Sequence, residues 1–127
     1  GASTIRASAC VLATGRFIGG GIAATDEYLE TALGCDIAME RFTRTITDAG
    51  AALVLTDPAR LEPQPLLSIG VRTNDDAMPL TANGEVAWDN VFVAGAVRYG
   101  VDATSALGSS AHEGWNAGTR AAAPRAA

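Results

Sequence analysis

The stretch NVFVAGAVRYGVD, residues 90–102, restricts the fold of this chain more than any other part of it. Val91, Phe92 and Val93 form an unbroken β-branched and aromatic run, the pattern of a strand buried on both faces. The run passes into Gly95, Ala96 and Gly100, too small to fill a core, with a carboxylate following at Asp102. A buried strand that ends in missing side chains lets something approach its backbone, whose N–H groups can face a flat or anionic partner. The same residues also read as tight turns, and this stretch alone leaves both readings open.

A second segment has the same form. ASACVLA, residues 7–13, reads as another strand buried on both faces, followed by Thr14-Gly15 and then Gly19-Gly20-Gly21. Together the two segments predict an α/β chain whose strands around 8–13 and 91–94 share one largely parallel sheet. Residues 109–123 read as the closing helix, with Ser109 or Ser110 as N-cap, Ser110 and Glu113 as a capping box, and Pro124 as the stop. Gly114 and Gly118, four apart, would let that helix pack closely on a neighbour.

Between these parts the pattern is mixed. Met39, Phe42, Ile46 and Ala49 recur at spacings of three and four and predict a helical face within 25–49 that ends at Asp48-Ala49-Gly50. Thr43, Thr45, Ile46 and Thr47 work against it, because β-branched side chains lose rotamer freedom in a helix. Pro58, Pro63 and Pro65 make 57–65 an extended connector. Leu67–Arg72 reads as a strand and Asn83-Gly84 as a turn.

The totals exclude several classes. A chain of 127 residues with 48% apolar and 18% charged residues suits one globular domain. A net charge of −5, with nine scattered basic residues, does not suit a nucleic-acid backbone. No apolar run approaches the roughly 20 residues of a membrane-spanning helix, and no secretory leader is recognisable. Cys10 and Cys35 lack a CxxC spacing and read as free thiols of a cytoplasmic protein; Cys10, in its predicted strand, reads as a small buried hydrophobe. Residues 1–3 (GAS) read as a cloning remnant.

Taken in order, ACVLATGRFIGGG (9–21), PLLSIGVRTNDDAMPL (65–80), WDNVFVAGAVRYGVD (88–102) and a Gly/Ser helix start carry a family resemblance. The chain resembles the C-terminal portion of the B-type flavoprotein subunits of anaerobic glycerol-3-phosphate dehydrogenases. More broadly, it is similar to the two-dinucleotide-binding-domain flavoproteins that include fumarate reductase and succinate dehydrogenase flavoprotein subunits. The resemblance covers most of residues 8–123, and NVFVAGA with Gly100-Val101-Asp102 is its most specific piece.

That resemblance implies an FAD/NAD(P)-binding Rossmann-like domain with an inserted α+β subdomain. Residues 4–24 and 83–123 would belong to the flavin domain and residues 25–82 to a substrate- or cap-like subdomain. It implies FAD or FMN as cofactor and oxidation of glycerol 3-phosphate to dihydroxyacetone phosphate, with electrons passed to a quinone-linked acceptor. Gly95, Ala96, Asp102, Gly108, Ser109 and Ser110, with Thr14, Gly15 and Arg16, become candidate flavin contacts; no metal is implied. His112, the only histidine, is a candidate catalytic base or a solvent-facing residue of the last helix. Arg16, Arg72 and Arg98 are candidate phosphate ligands or simply solubilising. Trp88 and Trp115 read as packing residues, with Trp115 placed to approach the flavin, and Asp75-Asp76 reads as a turn.

The chain departs from the family at named positions. Ala96 stands where many relatives of the wider fold carry an acid, Gly108-Ser109-Ser110 where the B-type dehydrogenase subunits carry Gly-Cys-Gly, and Met78-Pro79 where they carry Arg-Pro. No G-x-G-x-x-G follows a first strand. The chain therefore reads as part of a longer flavoprotein, completed by an N-terminal dinucleotide-binding half or a partner flavoprotein subunit, and membrane-associated only through such a partner. The alternative is a non-catalytic assembly or electron-relay module.

Overall fold

The computed structural model describes residues 1–24, 28–39, 42–45, 65–101 and 107–124. These contain strands β1 (Cys10–Leu12), β2 (Ile22–Ala24), β3 (Tyr28–Glu30), β4 (Ile37–Met39), β5 (Phe42–Thr45), β6 (Gly70–Val71) and β7 (Val91–Val93), and one helix, α1 (Leu107–Ala122). β1 and β7 pair in parallel, with Cys10 opposite Val91 and Leu12 opposite Val93. Cys10 N–H donates to the Asn90 carbonyl at 2.9 Å and Ala94 N–H to the Leu12 carbonyl at 3.0 Å. The parallel pairing expected of these two segments is therefore present. β2 and β3 form an antiparallel hairpin, and β4 lies between β5 and β6, antiparallel to both.

β7 is buried on both faces, as its composition predicts. Val91 and Val93 join Leu12, Ile22, Ile37, Ile69, Val71 and Val97 in the main core, while Phe92 and Ala94 pack beneath Ala117 of α1. Removing each such aliphatic or aromatic side chain from water contributes about 1.5–3 kcal/mol. On the side away from β1, Val93 N–H donates to the Ala77 carbonyl at 2.8 Å, so the 74–78 turn flanks β7 where another strand would lie. Asn74 shapes that turn by accepting the N–H groups of Asp76 and Met78 at 3.0 and 2.9 Å, as expected of the Asp75-Asp76 turn. The Asn83-Gly84 turn is also present, closed by Gly84 N–H to the Thr81 carbonyl at 2.9 Å.

Several expectations are corrected. Residues 37–39 and 42–45 are strands, not one helical face; pairing on both edges of β4, with threonines along β5, outweighs the three- and four-residue spacing. Ile46, Ala49 and residues 57–64 lie outside the described residues. The Leu67–Arg72 strand shrinks to Gly70–Val71, preceded by a 3-10 turn at Pro65–Leu67.

ASACVLA is not buried on both faces. Cys10 is exposed and Val11 36% exposed, because β1 pairs on one edge only and no strand covers its outer edge among the described residues. Helix α1 begins at Leu107, so Ser109 and Ser110 lie within its first turn rather than at its N-cap. β-Carbons on Gly114 and Gly118 would meet nothing within 4 Å among the described residues, and Trp88 and Trp115 are 39% and 74% exposed rather than packed.

Candidate functional site

In a parallel pair the carboxyl ends of both strands open on the same edge. Thr14, Gly15 and Arg16 follow β1 there, and Gly95 and Ala96 follow β7. Four of these candidate contacts, Thr14, Gly15, Gly95 and Ala96, therefore share the edge where a ligand of an α/β sheet sits. The Thr14 hydroxyl is buried with no hydrogen-bond partner among the described residues, an orphan that a bound polar group would satisfy. Asp102 lies outside the described residues. Gly108, Ser109 and Ser110 form the start of α1.

The turn after β1 is closed on itself. Ile22 N–H donates to the Arg16 carbonyl at 3.1 Å, and Gly20 N–H to the Phe17 carbonyl at 3.1 Å. A β-carbon on Gly21 would collide with the Gly15 carbonyl and stand 2.6 Å from Thr14 Oγ1. At Gly19 and Gly21 the tight-turn reading is therefore the right one.

Arg16 is not available to a ligand phosphate. It is 7% exposed, and its guanidinium donates to the Leu67 carbonyl and, at 2.7 Å, to the Val101 carbonyl. It clamps the turn after β1 to two distant backbone segments. His112 is exposed on α1, and its Nε2 lies 3.1 Å from Asn116 Nδ2, one helical turn on; no described hydrogen bond ties it to the strand edge.

The polar cluster beside β7 was not anticipated. Gly95, at φ +77°, starts a 3-10 turn, and its N–H donates to Glu113 Oε2 at 3.0 Å. The same carboxylate pairs with Arg98 Nη1 at 3.4 Å, and Arg98 Nε donates to Thr73 Oγ1 at 2.8 Å. Arg120 pairs with Asp76 at 2.5 Å. A cavity of about 60 Å³ lies beside Glu113, with Asp75, Arg98, Asn116 and Arg120 around it. Gly95 and Arg98 were candidate residues here, Glu113 was not; the Arg98 side chain is tied to Glu113 and Thr73 rather than simply solubilising. The spacing of Ser110 and Glu113 had suggested a cap, which hid Glu113's longer reach to the end of β7.

Glu30, unlike Glu113, is a fully buried carboxylate, and its role is structural. It is 1% exposed and accepts the N–H groups of Ala32, Leu33 and Cys35 at 2.7, 2.8 and 3.2 Å. Burial, together with the Glu30 and Asp36 carboxylates, pushes the Cys35 thiol up to about 12. Among the described residues no cluster of His, Cys, Asp and Glu is arranged to hold a metal ion, and no helix is long and apolar enough to cross a membrane. No family model matches the chain, and neither does any curated protein or solved structure.

Proposed function

We propose that this chain is the C-terminal portion of a flavin-dependent dehydrogenase, of the kind that oxidises glycerol 3-phosphate to dihydroxyacetone phosphate for a quinone-linked acceptor. One observation carries the reading: β1 and β7 run in parallel, and both carboxyl ends enter glycine-bearing turns on one edge. That edge is where open α/β sheets hold nucleotide cofactors. Thr14, Gly15, Gly95 and Ala96 would line FAD or FMN, with the orphaned Thr14 hydroxyl as a polar contact. The bound flavin would supply the two-electron acceptor. Asp102, Gly108, Ser109 and Ser110 stay candidates through the resemblance alone, as does His112, whose task would be to take the hydroxyl proton.

The second reading is a non-catalytic assembly or electron-relay module. It is favoured by the internal use of two groups the flavin reading would spend on ligand, the Arg16 guanidinium and the Gly95 N–H. The test is to isolate the protein by an affinity tag with whatever it binds in its own cells. The dehydrogenase reading expects an absorption band near about 450 nm that bleaches with glycerol 3-phosphate. A colourless complex overturns it in favour of the module, and a band indifferent to glycerol 3-phosphate overturns the substrate.

A further inference from the structure

We propose that the cavity beside Glu113 is an oxyanion site whose place the Glu113 carboxylate holds in the free protein, and that a phosphate group binds there by displacing it. The inference shares Gly95 with the flavin reading but does not rest on it, and its test involves no flavin.

The donors around this carboxylate outnumber what it uses. Glu113 takes the Gly95 N–H at 3.0 Å, but its contact with Arg98 is loose. At 3.4 Å that contact is well beyond the 2.7–2.9 Å typical of a charge-assisted hydrogen bond. Arg98 is nevertheless fixed in orientation, because its Nε is spent on Thr73 Oγ1. The cavity of about 60 Å³ extends from this pair to Asn116, whose Nδ2 also lies against His112, and to the Arg120 guanidinium. A planar carboxylate reaching from α1 cannot meet all of these groups. A tetrahedral anion seated where the carboxylate now lies would take the Gly95 N–H and the Arg98 fork and direct a further oxygen into the cavity that Asn116 and Arg120 line.

Displacement is feasible because the Glu113 side chain is 16% exposed and sits on a helix whose neighbouring positions face solvent. Two charges temper the site: Asp75 lines it and opposes an anion, and Asp76 shares Arg120. The arrangement is thus a competition between an internal anion and an external one. Its apparent affinity is reduced by the fraction of molecules in which Glu113 has let go.

The test follows the Gly95 amide and the Glu113 side-chain carboxylate by NMR while inorganic phosphate replaces chloride at constant ionic strength. In the wild-type protein both resonances move together and saturably. Glu113→Gln, which keeps an acceptor for Gly95 but loses the competing charge, lowers the half-saturating phosphate concentration by about tenfold or more. Arg98→Met abolishes the response. A wild-type protein in which neither resonance moves up to about 100 mM phosphate overturns the proposal. So does equal half-saturation in the wild type and Glu113→Gln, which would show that Glu113 does not compete.

Discussion

Gly70 lies against the Val97 carbonyl more closely than any β-carbon permits, and the same imaginary carbon would stand 2.6 and 2.7 Å from the Arg98–Tyr99 peptide. This contact joins β6 to the segment after β7. Tyr99 N–H donates to the Val71 carbonyl at 2.9 Å, and Gly100 N–H to the Ser68 carbonyl at 2.8 Å.

Gly70→Ala is therefore expected to destabilise the protein by about 1–3 kcal/mol, since neither backbone can retreat without breaking these bonds. Urea denaturation measures it. A change within a few tenths of a kcal/mol would mean that the two segments are not in contact.

Arg16→Met keeps the aliphatic bulk but deprives the Leu67 and Val101 carbonyls of their donor. The expected loss is about 2–4 kcal/mol, from two charge-assisted bonds in a buried setting. Denaturation with no ligand present is the measurement. A variant of unchanged stability would make Arg16 a candidate ligand contact again.

Cys35 makes stability depend on alkaline pH. Its thiol is raised from 9.0 to about 12 in the fold, so the unfolded chain loses this proton first as pH rises. The contribution is fully present below pH 9 and is lost progressively as the pH climbs from 9 towards about 12. Denaturation midpoints should fall across that window, and Cys35→Ala should flatten the fall. At neutral pH iodoacetamide should label exposed Cys10 and spare Cys35 until the protein unfolds. Equal labelling of the two in the native state would contradict the burial.

The open edge of β1 bears on cofactor affinity. With β7 on one side of β1 and no strand on its other side among the described residues, the sheet whose carboxyl ends would face a flavin is only two strands wide. The 127-residue chain by itself is expected to bind FMN and FAD weakly or not at all, and to associate through the unpaired side of β1. Fluorescence quenching and light scattering on the purified chain decide the matter. A stable monomer with micromolar affinity for either flavin would reverse this expectation.

What the sequence revealed and what it concealed follow from the range of the interactions. Val91–Ala94 was legible because burial on both faces leaves an unbroken apolar run, and Asn83-Gly84 because turn chemistry is local. Gly95 and Gly100 answer to positive φ rather than to a close neighbour, since β-carbons there would meet nothing within 4 Å among the described residues. The close approach of backbones in this region is made at Gly70. Gly70 lies in another segment and carried no local sign of that role. β4 and β5 were misread because three- and four-residue spacing is ambiguous when pairing partners are unknown. Arg16 and Glu113 act across gaps that a linear pattern cannot express, whereas Glu30 acts within its own short loop. The polar cluster of Arg98 and Glu113 depends on α1 crossing the end of β7, which only the fold supplies.

The pairing of β1 with β7 also has a consequence in time. About eighty residues separate the two strands, so β1 must wait for β7 to be made before it can pair. At synthesis rates of about 5–20 residues per second, that wait is roughly 4–16 s. Throughout it an apolar segment with an exposed thiol has no native partner, and a ribosome stalled late in the message would leave it so. The period of greatest exposure to aggregation thus falls during the making of the chain, before any ligand could protect it.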